Sequence, residues 1–131
     1  MAKVTGLGGF FFKTDDKGGV ARWLTDVLGF PTAEWGATFP WRGREDPSEK
    51  GYTVLGLHGT SSDYFGPSTR EFMLNFRVDD LDGMLEHLRG QGVEVIKLFP
   101  PEPNGRFAHV KGPDGITLEL WQPVTDDPFD P

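Results

Sequence analysis

Near the C-terminal end of the sequence, a histidine and a glutamate fall where two paired strands would hold them together. Arg106 to Lys111 and Ile116 to Gln122 alternate in hydropathy as half-buried strands do, and Gly112-Pro113-Asp114-Gly115 between them is a strong turn. Ile116, Leu118 and Leu120 form a purely aliphatic face, which leaves Thr117, Glu119 and Trp121 for the other. Ala108 and Val110 suit the packed side, so Phe107, His109 and Lys111 share the opposite side with Glu119. Residues directly opposite on paired strands point the same way, so only odd-with-odd registers are allowed. The register with a five-residue loop sets His109 against Glu119. Such a pair can be a general base with its orienting partner, two ligands left from a metal site, or a structural hydrogen bond.

Arg77 shares a predicted face with Asn75 and Met73, and Lys13 shares one with Phe11 and Gly9. A half-buried arginine needs an anion, either a ligand carboxylate or phosphate or an acid of the chain such as Glu119. Trp35, Phe39, Trp41 and Trp121 could stack on a flat ligand, and Trp41 and Trp121 are the better pocket candidates; filling the interior of a curved sheet is the competing role. His58 ends a strand and His87 sits among polar neighbours on a helix, so both read as surface residues. The glycines at 6, 8 and 9 lack a phosphate-loop lysine and a dinucleotide pattern and mark a bulge or a close backbone approach; no Gly-x-Ser-x-Gly elbow or helical His pair is present.

These residues are positioned by a unit that the chain uses twice. Phe72 to Val78 alternates as a strand; Asp80 caps a helix with Leu81, Met84, Leu85 and Leu88 on one face, ended by Gly92. Sixty-four residues earlier the pattern recurs: Gly9, Phe11 and Lys13 alternate, Asp16 stands for Asp80, Val20 for Met84 and Leu24 for Leu88, with Gly29 as the stop. The first strand is predicted over Val4 to Lys13. The first helix spans about Gly19 to Leu28, with Val20, Trp23, Leu24 and Val27 inward. Thr32 to Trp35, Ala37 to Arg42 and Tyr52 to His58 read as strands, with Arg44 to Gly51 as an exposed hairpin loop. Thr60 to Arg70 connects the units, and its Tyr64 and Phe65 pack over an edge. Glu94 to Phe99, Arg106 to Lys111 and Ile116 to Gln122 complete the second unit. The expected fold is α+β: two βαβββ modules, about 4–60 and 71–123, in a single domain. They form a curled mixed sheet around a shared cavity with the helices outside, followed by a mobile acidic tail, 124–131, that carries Asp126, Asp127 and Asp130.

With 131 residues, two half-sized units must share one core. Eleven Phe, four Trp and two Tyr are enough large apolar groups to line both an interior and a pocket. A net charge of -7 and a pI near 4.8, with no basic stripe, argue against nucleic acid and favour a cationic ligand. The lack of Cys excludes disulfides and thiolate chemistry and is compatible with a reducing cytoplasm. No apolar run reaches the length of a membrane span, and the start resembles no signal peptide, so a soluble cytoplasmic protein with no membrane partner is expected.

The repeated unit, the Val78-Asp79-Asp80-Leu81-Asp82 turn into a helix, and the closing run from Gly112 to Trp121 together resemble the vicinal oxygen chelate superfamily of glyoxalases, extradiol dioxygenases and bleomycin-resistance proteins. The resemblance covers about residues 4–123 and implies a small organic ligand and a homodimer. Metal-dependent members take one ligand from the first and one from the last strand of each unit. The matching positions here are Gly9, Met73, Leu55 or Gly56, and Glu119. Three of these four positions cannot serve, so no metal cofactor is expected. The implied function is small-molecule binding at a degenerate metal site, with lyase or isomerase chemistry by Glu119 and His109. Phe11, Trp41, Met73, Asn75, Arg77 and Trp121 are the expected ligand contacts. The alternative is a non-catalytic sequestration protein of the bleomycin-resistance type.

Overall fold

A computed structural model describes residues 1–31 and 36–125. The expected strand from Thr32 to Trp35, the candidate Trp35 and the acidic tail at Asp126, Asp127 and Asp130 lie outside the described residues. The elements run β1 (Val4–Thr14), α1 (Lys17–Leu28), β2 (Gly36–Arg42), β3 (Lys50–Gly59), β4 (Phe72–Val78), α2 (Leu81–Gly90), β5 (Val95–Leu98), β6 (Gly105–Lys111) and β7 (Thr117–Pro123). Among the described residues one seven-stranded mixed sheet has the order β2-β3-β1-β4-β7-β6-β5, so the halves join edge to edge where β1 runs antiparallel to β4.

The duplication is visible in the register. β1 pairs with β3 in parallel, Phe11 beside Gly56. β4 pairs with β7 in parallel, Asn75 beside Glu119. The glycine-rich start of β1 is bulged against β4, with register shifts before Gly6 and Gly9.

Both helices begin as the acidic caps predict. The Asp16 carboxylate accepts from the Gly19 N–H at 2.9 Å and that of Asp80 from the Gly83 N–H at 3.1 Å. Because Asp16 is itself the cap, α1 starts at Lys17, earlier than the apolar pattern suggested. It ends at Gly29, whose φ of 74° is the left-handed turn that glycine adopts most easily.

The two helices differ in how they pack. Leu81, Met84 and Leu85 of α2 close the main apolar cluster with Val78, Ala108, Val110 and Leu120. No residue of α1 is fully buried. Val20 and Leu24 are half-buried, but Trp23 and Val27, expected inward, are 55% and 59% exposed. The reason is geometric: α1 lies mainly against β3, one strand from the sheet edge at β2, and too little sheet remains beneath it to cover its whole apolar face.

Leu85→Ala should lower unfolding free energy by about 2–5 kcal/mol in urea titration, because it empties a closed core site. Glu86→Ala, on the exposed side of the same helix, should stay within about 0.5 kcal/mol of the parent.

Candidate functional site

On the sheet face opposite α2, a cavity of about 520 Å³ is lined by Phe11, Tyr52, Phe107, Trp121, Asn75 and Glu119, with Gly8, Thr38, Val54 and Asn104 completing it. Glu119 is only 2% exposed. A buried carboxylate is tolerated only with hydrogen bonds, and this one has three. The β6–β7 register sets His109 opposite Glu119, and its Nε2–H donates to Oε2 at 2.8 Å. The Tyr64 hydroxyl donates to the same oxygen. Asn75 Nδ2 donates to Oε1 at 2.7 Å from the neighbouring strand.

Tyr64 is one of the site residues that sequence reasoning missed. The connection 60–71 folds inward because Phe65 is fully buried, which carries the neighbouring tyrosine over the sheet instead of along its edge. The Tyr64 ring stacks on His58 (5.4 Å, 13°) and meets His109 edge-on (4.8 Å). His58 is therefore not a surface residue: it is half-buried and touches Phe11 and Phe65 as well as Tyr64. Burial holds its pKa below the usual histidine value, opposed by the Glu119 charge and reinforced by Lys17 and Lys13. The Tyr64 hydroxyl is pushed well above the ordinary tyrosine value by burial first, then by the charge and hydrogen bond of Glu119 and the charge of Glu102.

Of the expected ligand contacts, Phe11, Asn75 and Trp121 line the cavity, whereas Trp41, Met73 and Arg77 do not. Met73 is fully buried below the lining. Trp41 donates to the Thr53 hydroxyl at 3.0 Å and covers Gly51. Arg77 lies behind the cavity wall, its guanidinium carbon 4.6 Å from the Trp121 ring, 5.1 Å from Trp41 and 5.7 Å from Tyr52, with the Tyr52 carbonyl at 3.3 Å. The ion pair with Glu119 gives way to this ring cage, because Arg77 is two residues beyond Asn75 and pairs with Trp121 in the β4–β7 register. Sequence reasoning also missed Tyr52 and Asn104. The Asn104 carbonyl accepts from Trp121 Nε1 at 2.8 Å and fixes the indole, which stacks on Phe107 at 5.7 Å.

Among the described residues no three His, Cys, Asp or Glu groups come together as a metal-holding cluster. Gly56, the counterpart of Glu119, has its side-chain space taken by Phe11: a Cβ there would lie 2.3 Å from Phe11 Cδ1. The residues at the four positions therefore do not fit the superfamily's divalent ion.

The sequence matches the model of the Glyoxalase/Bleomycin resistance protein/Dioxygenase superfamily over residues 12–120. The chain belongs to that superfamily. Among solved structures, it is similar to a variant of Streptomyces coelicolor methylmalonyl-CoA epimerase in complex with 2-nitronate-propionyl-CoA, with a TM-score of 0.69 and 16% identity over 94% of this chain and 100% of that one. The Mycobacterium tuberculosis methylmalonyl-CoA epimerase gives a TM-score of 0.58 and 22% identity over 92% and 89%. A Legionella pneumophila chain described as an NAD-dependent benzaldehyde dehydrogenase gives 0.55 and 15% over 88% and 98%. These likenesses show a shared fold. No curated protein matches the sequence.

The raised Tyr64 pKa has a definite linkage sign. The folded chain keeps a proton that the unfolded chain loses near pH 10, so this stability is present below pH 10 and drains away as pH rises, at about 1.4 kcal/mol per pH unit. Thermal melts between pH 9 and 11 should therefore fall more steeply for the parent than for Tyr64→Phe; equal slopes would show that the hydroxyl ionises normally.

Proposed function

We propose that this protein binds a small organic molecule in the aromatic-walled cavity and moves a proton of it with Glu119, as an isomerase or lyase that uses no metal. The observation that carries this reading is the placement of Glu119: a buried carboxylate lines an otherwise mostly apolar cavity and is oriented by Tyr64, His109 and Asn75. A base in a dry site is stronger toward a carbon acid than one in water, and a fixed carboxylate needs no reorganisation to act. His109 and Tyr64 stabilise the anion before transfer, and Asn75 fixes the plane of the carboxyl group. The epimerase neighbours support the reading, since epimerisation is removal and return of a proton at carbon.

Proton transfer can be read directly as exchange of activated C–H for deuterium in D₂O. NMR should show the parent accelerating exchange in at least one of a set of planar carbonyl compounds that includes oxindole and 2-indanone. Glu119→Gln should lose 100-fold or more of that acceleration while keeping its fold. Binding without acceleration for every compound would instead support the sequestration reading, in which the same aromatic walls hold a ligand unchanged.

Homodimerisation belongs to the same proposal. On the helix side of the sheet, Leu7 and Phe10 are 45% and 39% exposed, and Trp23, Val27 and Leu28 of α1 are 55%, 59% and 56% exposed. So much uncovered apolar surface suits a second copy. Sedimentation analysis should give a dimer for the parent and a shift toward monomer for the double variant Phe10→Ser, Val27→Ser. A monomeric parent at micromolar concentration would remove this part.

A further inference from the structure

Two buried polar side chains of the lining, Asn75 and Glu119, hold acceptor capacity that the chain leaves unused. Asn75 is 1% exposed, and its Nδ2 must face Glu119, because a flipped amide would set oxygen against oxygen. Its Oδ1 is therefore the acceptor left over, and it is buried with no hydrogen-bond partner among the described residues. Gly8 lies across from it: a Cβ there would sit 2.0 Å from Oδ1, so that neighbour has no side chain with which to answer it. Glu119 offers a second acceptor beside it, since Oε2 is used twice and Oε1 once, and a carboxylate oxygen accepts two bonds.

The charge around the cavity points the same way. Among the described residues no Lys, Arg or His lines it, and Glu119 is the lining carboxylate. A smaller hollow of about 310 Å³ shares Asn104 and Phe107 with it and adds Tyr64, Phe99 and a second acid, Glu102. The nearby cations stand against ring faces: Arg77 at Trp121, and Lys97, on the same sheet face as His109, at Phe99 with 4.7 Å to its centroid. An entering anion would meet Glu119 with no cation among the described lining residues, whereas a donor group has the unused capacity of Asn75 Oδ1 and Glu119 to engage. The rings of Phe11, Tyr52, Phe107 and Trp121 define the shape of the remaining space and suit a flat body.

We propose that the site takes a planar, neutral or cationic molecule that presents an N–H donor to Asn75 Oδ1 and the open lone pair of Glu119, and that it rejects carboxylates and phosphates. This inference rests on the reading of the cavity as the ligand site, but not on Glu119 acting as a base.

Three isosteric probes separate the terms: 2-naphthamidine (cation with donors), 2-naphthamide (neutral with a donor) and 2-naphthoate (anion without a donor). Titration calorimetry of the parent near pH 7.5 in 0.15 M salt should show the amidine and the amide binding at least tenfold more tightly than naphthoate. Asn75→Ser should weaken the amide about tenfold, and Glu119→Gln should remove the amidine's advantage over the amide. Naphthoate binding as tightly as the amide, or no binding by any of the three at millimolar concentration, overturns the proposal from the parent protein alone, whatever the variants do. The ranking is independent of deuterium exchange: a failed ranking with intact exchange refutes the ligand class, and a correct ranking without exchange refutes the base.

Discussion

The organising constraint is a negative charge inside an apolar wall. Removing a carboxylate from water costs several kcal/mol, and the fold meets that cost with donors brought from three separate places: Asn75 on β4, His109 on β6 and Tyr64 from the connection between the modules. Each donor fixes one relationship. Asn75 requires β4 and β7 to pair in their observed parallel register, His109 requires the β6–β7 hairpin register, and Tyr64 requires the connection to fold over the sheet. Loss of any one would leave buried charge undersatisfied, so the site and the architecture are specified together.

The duplicated fold makes the asymmetry of the chemistry plain. In the second module the parallel strands place an amide beside a carboxylate; in the first the same positions hold Phe11 and Gly56. The Phe11 ring occupies the space above Gly56, so the first half supplies a wall and the second supplies the polar group. The two halves of the sheet therefore contribute differently to the pocket. Its buried polar groups are Asn75 and Glu119, and Arg77 and Lys97 stand against aromatic rings. The Arg77 guanidinium packs against the Trp41, Tyr52 and Trp121 rings, and Tyr52 and Trp121 also line the cavity.

Much of this was legible in the chain. The acidic caps at Asp16 and Asp80, the repeat offset, the strand at Phe72–Val78 and the odd-with-odd register that pairs His109 with Glu119 follow from local periodicity and turn length. Local rules determine these because a strand's alternation and a hairpin's loop leave few registers open. Periodicity also misled where its premise failed: the apolar face of α1 looked inward by pattern, but pattern cannot say how much sheet lies underneath.

What the sequence by itself determined, then, was the doubled strand-helix unit and the superfamily. Tertiary structure alone decided that Tyr64 and His58 belong to the site and that Arg77 turns away from Glu119 to aromatic rings. It alone also showed that Asn75 presents an unanswered oxygen beside the carboxylate. The physical reason is range. Caps, turns and alternation act over a few residues, whereas the partners of a buried charge are set by which distant segments the closed sheet brings within about 3 Å.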